Sequence, residues 1–420
     1  MSLADREQSE ARGLAGLAAR GSAALLRRIT AGTEVAVGGD ATGHNSKPFE
    51  ISVPPLGAVL RIALDPEYWV PASFVRGEWE MRRGDLGDFA TYMLDRKKGR
   101  MTRRFSTRQR RGLTANHFLK HWLRPLTYTR SVRRHYDIDP RVYEYILDPE
   151  MLYTAAFFDG TDDLATAQQI KMARAVERLQ LPESARVLEI GMGWGGFARH
   201  LVRNHPGASV CGLTISTEQL DWATAHDAKA LSRAELARTR PLLEDFRDHR
   251  PEEPYDGIVS FGLFEHVGQR LYADFFRRCH DMLKPGGRML VHTIVKNRSN
   301  SPTNRWIDTH IFPGGYIPSV AEATRGAEAA ELNLTAVHLH GPENYAETCR
   351  QWRRNLIANR DPLLRLYRDD IGLSEQEALE AFRTWEIYLA GAEAGFRVKR
   401  RPMQTAQLVF QRPTSDNRCP

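Results

Sequence analysis

The sequence predicts an α/β fold: a doubly wound, Rossmann-like sheet with a helical cap, preceded by a smaller α+β domain. Three observations point there. From about Pro140 onward, short apolar runs of strand length alternate with helical stretches, the pattern of a parallel sheet with crossover helices. The first of those runs ends in a glycine-rich turn that opens a helix. Ahead of it, short alternating runs are broken by Gly, Pro and Asn, as in a small sheet-bearing unit.

Residues 1 to about 30 are rich in Ala and Arg and helical in period. Strands are expected at Thr33–Val37, Phe49–Val53 and Val59–Leu64, followed by helical stretches over Pro66–Val75 and Leu86–Leu94. Together these make an N-terminal domain over residues 1–95. The main domain, 136–420, should carry strands at Arg186–Ile190, Ser209–Thr214, Tyr255–Ser260 and Arg288–Ile294, with a helix over Gly196–Asn204. Residues 296–396 read as largely helical and are too long for a connector, so they should fold over the sheet as the cap. Ala406–Phe410 reads as a closing strand.

The apolar share of 42% and charged share of 26% are those of an ordinary globular chain, and no run is apolar enough to span a bilayer. The start lacks a signal-peptide core, so a cytoplasmic protein is expected. Cys211, Cys279, Cys349 and Cys419 show no metal-site spacing, which predicts no metal and a reducing compartment. The net charge of +7 is unevenly spread: residues 96–134 hold 14 Lys or Arg and no acid, leaving −7 for the rest. That stretch, with Phe105, Phe118, Trp122 and Leu126 interleaved, reads as a linker or docking segment over 96–135. It would attract anionic headgroups at roughly 1 kcal/mol per residue near the surface. A peripheral protein on the inner face of a membrane follows, with a homodimer left open.

The strongest chemical signal is Val187-Leu188-Glu189-Ile190-Gly191-Met192-Gly193-Trp194-Gly195-Gly196. Glycines are needed where the backbone must come within contact distance of a ligand and take dihedrals that a Cβ disfavours. The GxGxG spacing after a Glu-bearing strand points away from a dinucleotide and toward S-adenosylmethionine, because no pyrophosphate has to be cradled. Where a ribose-gripping carboxylate would commonly follow the second strand, this chain offers Thr214 and Gln219. In Glu244-Asp245-Phe246-Arg247-Asp248, the acid Asp245 could accept from an adenine amino group and Phe246 could cover the ring.

At Phe261-Gly262-Leu263-Phe264-Glu265-His266-Val267-Gly268 the chain comes to resemble the cyclopropane fatty acid synthase family, including the mycolic acid cyclopropane synthases. His135-Tyr136-Asp137, Leu147–Thr154, Gly212–Ser216, His292-Thr293-Ile294, Ile311–Ser319, Asn344-Tyr345 and Glu393–Arg397 agree with it. The resemblance runs from about 135 to 410; residues before it are only loosely similar to the family's N-terminal lipid-binding domain. It implies a class I methyltransferase that adds the cofactor's methyl to the double bond of an unsaturated phospholipid acyl chain and closes a cyclopropane ring. It further implies that Tyr153, Thr154, Gly191, Gly193, Thr214, Ile215 and Gln219 hold S-adenosylmethionine. Glu265, His292, Ile294 and Tyr345 would surround a bicarbonate ion acting as base.

An alkene is a feeble nucleophile, so such chemistry needs an aligned methyl in a dry cavity, aromatic faces for the carbocation, and a base to remove a proton. Where the family commonly reads Tyr-Ser-Cys, this chain reads Tyr153-Thr154-Ala155. Ala155 is harmless if the backbone amide serves the anion. If a thiol is required, proton loss from an acyl carbon would leave a methyl-branched unsaturated chain instead. Methylation of nucleic acid is disfavoured, because Ser260-Phe261-Gly262-Leu263 stands where an Asp/Asn-Pro-Pro-Tyr/Phe loop would be. A silent lipid-binding protein is disfavoured by the intact glycine turn.

Overall fold

The computed structural model describes residues 21–27, 30–38, 47–96, 138–300, 303–400 and 402–414. The basic segment after Arg96, the His135-Tyr136-Asp137 motif and the first 20 residues lie outside them. Three short strands, β1 (Val35–Val37), β2 (Phe49–Ile51) and β3 (Met81–Arg83), form one sheet in that order, β1 and β2 parallel. Helices α1 (Leu56–Leu64), α2 (Pro66–Val75) and α3 (Leu86–Arg96) accompany it.

The expected strand at 59–64 is therefore corrected: Val59–Leu64 belongs to α1. Its apolar residues fit either period, and a helix buries Ala58 and Val59 while Leu56, Leu60 and Leu64 stay exposed one turn apart. The chain then turns at Asp65 straight into Pro66, a residue preorganised for a first helical turn.

After α4 (Pro140–Glu144) and α5 (Leu164–Leu179) comes the main sheet. Strand β4 (Arg186–Ile190) leads through the glycine turn into α6 (Gly196–Asn204), then β5 (Ser209–Thr214) and α7 (Thr217–Ala230). Strands β6 (Thr239–Leu243) and β7 (Tyr255–Phe261) follow, then α8 (Phe264–Val267), α9 (Tyr272–Met282) and β8 (Leu283–Val295). The order is β6-β5-β4-β7-β8-β10-β9, with the pairings from β6 to β8 parallel and those of β10 antiparallel. The order reverses between β4 and β7, which opens a crevice at their carboxyl ends.

The C-terminal third contributes α10 (Val320–Glu328), β9 (Asn333–His340), α11 (Pro342–Ala358), α12 (Glu375–Arg397) and β10 (Gln404–Gln411). Strand β9 corrects the reading of 296–396 as cap alone: it pairs with β10 at the edge of the main sheet. Its apolar residues Leu334, Val337 and Leu339 are exposed, so an inward-facing alternation does not mark it. Helices α11 and α12 form the cap proper. One hydrophobic core runs from Val35, Phe49, Trp79 and Phe89 to Trp352, Phe382 and Trp385 of the cap.

The glycine turn is held by the fully buried Arg199 of α6. Its guanidinium donates to Glu150 Oε2, the Glu150 and Trp194 carbonyls and Asp227 Oδ1. Removing this cation strands a buried carboxylate at Asp227. Arg199→Met is expected to destabilise the protein by about 3–5 kcal/mol, read from the shift in denaturant midpoint. A shift under about 1 kcal/mol would show that the network is not cohesive.

Candidate active site

A cleft opens at the switch point of the sheet. It is walled by loop 151–154, the turn 189–194, the end of β5, residues 244–246 and the turn 261–263. Its surface is mainly apolar, as a site that must exclude water requires. Gly191 and Met192 donate their N–H groups to the Leu213 carbonyl at 3.0 and 2.9 Å, which moors the turn to β5. Gly193 has φ +53°, and a Cβ built on it meets nothing within 4 Å. That Cβ would project into open space at the lip of the cleft.

All nine residues expected to hold the cofactor line this cleft: Tyr153, Thr154, Gly191, Gly193, Thr214, Ile215, Gln219, Asp245 and Phe246. Thr214 Oγ1 donates to Gln219 Oε1 at 2.8 Å, so the two neutral residues at the end of β5 act as one polar unit. Gln219 is placed by the first turn of α7, which Ser216 caps. Asp245 is engaged by Arg247 through a charge-paired bond of 2.6 Å, and Phe246 packs edge-on against Phe275.

The four residues expected around an anion, and Ala155 with them, do not line the cleft itself. Two of them meet directly: the Ile294 N–H donates to Glu265 Oε1 at 2.8 Å. Glu265 is fully enclosed; burial pushes its carboxyl up to about 7, and Oε2 has no hydrogen-bond partner among the described residues. His292, two residues earlier on β8, has its ring beside Phe157 and Phe261, with Gln407 Nε2 3.5 Å from Nδ1. Burial and then the Lys171 charge hold His292 far below the usual imidazole range, so it is neutral. Tyr345 contacts Trp352 and Phe396, and it shares a core with Ala155, against which Ile294 also packs.

Tyr153 joins the cleft to the cap. Its ring lies 5.6 Å from Tyr143, 5.2 Å from Trp352 and 6.1 Å from Trp385, and its hydroxyl bonds to that of Tyr388 at 3.2 Å. Aromatic rings therefore crowd the wall between the cleft and the cap. The backbone behind them is pinned: Ala156 N–H donates to Thr348 Oγ1 and Phe158 N–H to Asn344 Oδ1.

Sequence reasoning missed Gln168 and Lys171 of α5 and gave Glu189 no role. Gln168 donates to the carbonyls of Leu152 and Thr154, and Lys171 to the Thr154 hydroxyl. The available signal was two polar residues on the face that carries Leu164, Ala167, Met172 and Ala175 inward. Glu189 lines the cleft fully buried, with Oε2 unpartnered among the described residues. Burial, opposed by Arg199 and Lys171, pushes its carboxyl up to about 8.

A family model described as mycolic acid cyclopropane synthetase matches residues 124–407. The cyclopropane-fatty-acyl-phospholipid synthase of Escherichia coli K12 is 34% identical over 280 residues, 67% of either chain. The tuberculostearic acid methyltransferase UfaA1 of Mycobacterium tuberculosis is 32% identical over 304 residues, 66% of this chain and 67% of its own. Among solved structures, the mycolic acid cyclopropane synthase CmaA1 complexed with SAH and CTAB aligns at a TM-score of 0.58 and 29% identity. It covers 67% of this chain and 98% of that one. Coclaurine N-methyltransferase, at 17% identity and a TM-score of 0.63, shares the fold.

Gly193→Ala should place a methyl at the cleft while costing only about 1 kcal/mol in backbone strain. Affinity for S-adenosylhomocysteine is expected to fall about tenfold or more in calorimetry, with the melting temperature lowered by a few degrees. Unchanged affinity would remove the turn from the binding surface.

Proposed function

The chain belongs to the mycolic acid cyclopropane synthetase family and is an S-adenosylmethionine-dependent methyltransferase, and we propose that it alkylates the double bond of an unsaturated fatty acyl chain of membrane phospholipid, forming a cyclopropane ring. The observation that carries this reading is the mainly apolar cleft, with the enclosed Glu265 two residues along the chain from Leu263 of its wall. The cofactor supplies an electrophilic methyl group on a sulfonium. What the chain adds is position and exclusion of water: loop 152–158 is tied down at several points, and Tyr153, Tyr143, Trp352 and Trp385 enclose the approach.

Closing the ring requires loss of a proton from the transferred methyl. Glu265, His292, Ile294 and Tyr345 would hold bicarbonate, which would supply the base. The fit rests on Glu265: with its carboxyl near 7 it can carry a proton on the unpartnered Oε2 and donate to an anion, where a fixed carboxylate would repel one. Ala155 supports a second product. It is buried and bears no thiol, and deprotonation at an acyl carbon would then give a methyl-branched unsaturated chain. Both products gain one CH2, so mass spectra before and after mild hydrogenation of lipids labelled from methionine separate them. Uptake of hydrogen identifies the branched alkene.

Glu265→Gln keeps the acceptor for Ile294 but cannot pass a proton. Turnover on unsaturated phospholipid vesicles should fall by about two orders of magnitude or more, with affinity for S-adenosylhomocysteine within about twofold. Equal loss of both would contradict the assignment. Because folding raises this carboxyl from about 4.5 to about 7, the native state binds more protons across that window and the wild type loses stability as pH rises through it. Glu265→Gln should therefore be the more stable protein at pH 8, by up to about 3 kcal/mol.

The basic stretch supports docking on anionic headgroups, and no helix among the described residues is long and apolar enough to cross a membrane. Replacing Arg103, Arg104, Arg110 and Arg111 with Gln is expected to weaken partition onto anionic vesicles at least about tenfold at low salt and much less at high salt. Unchanged partition would leave the segment a linker.

A further inference from the structure

Lys171 is a lysine with no exposed surface, placed behind the cleft and outside its lining. Its surroundings settle which way each hydrogen bond points. Both amide hydrogens of Gln168 are used, on the Leu152 carbonyl at 3.2 Å and the Thr154 carbonyl at 3.0 Å. Gln168 Oε1 is thus an acceptor, and Lys171 Nζ donates to it at 2.6 Å. A second ammonium hydrogen goes to Thr154 Oγ1 at 2.6 Å, and the Phe261 ring, 5.4 Å away, offers its face to the cation. On the other side of Thr154, its methyl group stands where a Cβ at Gly262 would lie 2.8 Å from it. The rotamer of Thr154 is therefore set from both sides.

With Oγ1 accepting from an ammonium, the Thr154 hydroxyl must turn its own hydrogen elsewhere, and Thr154 is part of the cleft wall. A hydroxyl backed by a cation is a strengthened donor suited to an anion. S-adenosylmethionine carries one anionic group, the carboxylate of its amino-acid end. We propose that Lys171 is a positioning residue that fixes Thr154 as a hydrogen-bond donor to the cofactor carboxylate. Burial acts against the Lys171 charge, and Asp148 and Glu189 act for it. A bound carboxylate adds to the favourable side. The inference rests on the methyltransferase assignment and is independent of what accepts the methyl.

The test compares two probes in calorimetry: S-adenosylhomocysteine, and 5′-methylthioadenosine, which keeps the adenosine and thioether but has no carboxylate. Lys171→Met and Thr154→Val should each weaken S-adenosylhomocysteine about tenfold and leave methylthioadenosine within about twofold. The double variant should be no worse than either single one, since both cut the same chain of bonds. Thr154→Ser, which keeps the hydroxyl, should bind both probes as the wild type does. Equal weakening of the two probes would make Lys171 a prop for the loop and overturn the proposal, as would additive losses. Should Lys171→Met fail to fold, Thr154→Val against Thr154→Ser decides alone, and a Val variant without selective loss overturns it. No lipid enters these measurements, so a chain that passes them yet leaves lipid alkenes untouched would refute the proposed substrate and not this role.

Discussion

The site depends on the enclosed guanidinium of Arg199. One side chain of α6 gathers the loop before the first main strand, through Glu150; the turn after that strand, through the Trp194 carbonyl; and α7, through Asp227. These three segments have little else in common in the sequence, and each supplies a wall of the cleft or the element beside one. A planar group with five donors in fixed directions can hold three backbones in register, which a flexible ammonium could not. Its cost is the burial of charge, which Asp227 and Glu150 offset, and burial in turn holds the Asp227 carboxyl above its ordinary range.

A second constraint is that the chemistry needs both polarity and dryness. The structure separates them by depth. Main-chain groups and neutral side chains such as Thr214 and Gln219 face the cleft, Glu189 lines its floor, and Lys171 and Glu265 lie behind the lining, with the carboxyl and amine groups of all three shifted toward neutrality by burial. Groups in that condition change protonation at little cost near neutral pH, which suits proton handling beside a hydrocarbon.

Much of this was legible in the sequence where local chemistry leaves one solution. The strands Arg186–Ile190 and Ser209–Thr214 and the helix Gly196–Asn204 fall where the apolar runs and glycines put them, because a strand buried on both faces has few other readings. The residues that the turn and the resemblance single out for the cofactor line one cleft. What could not be read was set by tertiary contact. Val59–Leu64 suits two periods, and packing chose the helix. Asn333–His340 lies at an edge and exposes its apolar residues, so its strand character comes from pairing with Gln404–Gln411. Lys171 lies on the apolar face of α5, but which groups it meets there is decided only when α5 is laid against loop 152–154.

Helix α12 links regions that the sequence separates widely. Near its C-terminal end, Glu393 is buried among Arg350, Arg353 and Arg397, and Arg353 and Arg397 reach Asp85 and Asp88 at the start of α3. Toward its middle the same helix carries Trp385 and Tyr388 onto the Tyr153 ring and hydroxyl. About one and a half to two helical turns, roughly 8–12 Å at the usual rise, separate the two contacts, and an α-helix scarcely bends over that length. The N-terminal unit is consequently coupled to the catalytic chamber by a stiff strut. A force that tilts α3 would therefore be felt at the aromatic wall around Tyr153, so the placement of the N-terminal unit and the shape of the cleft are mechanically linked.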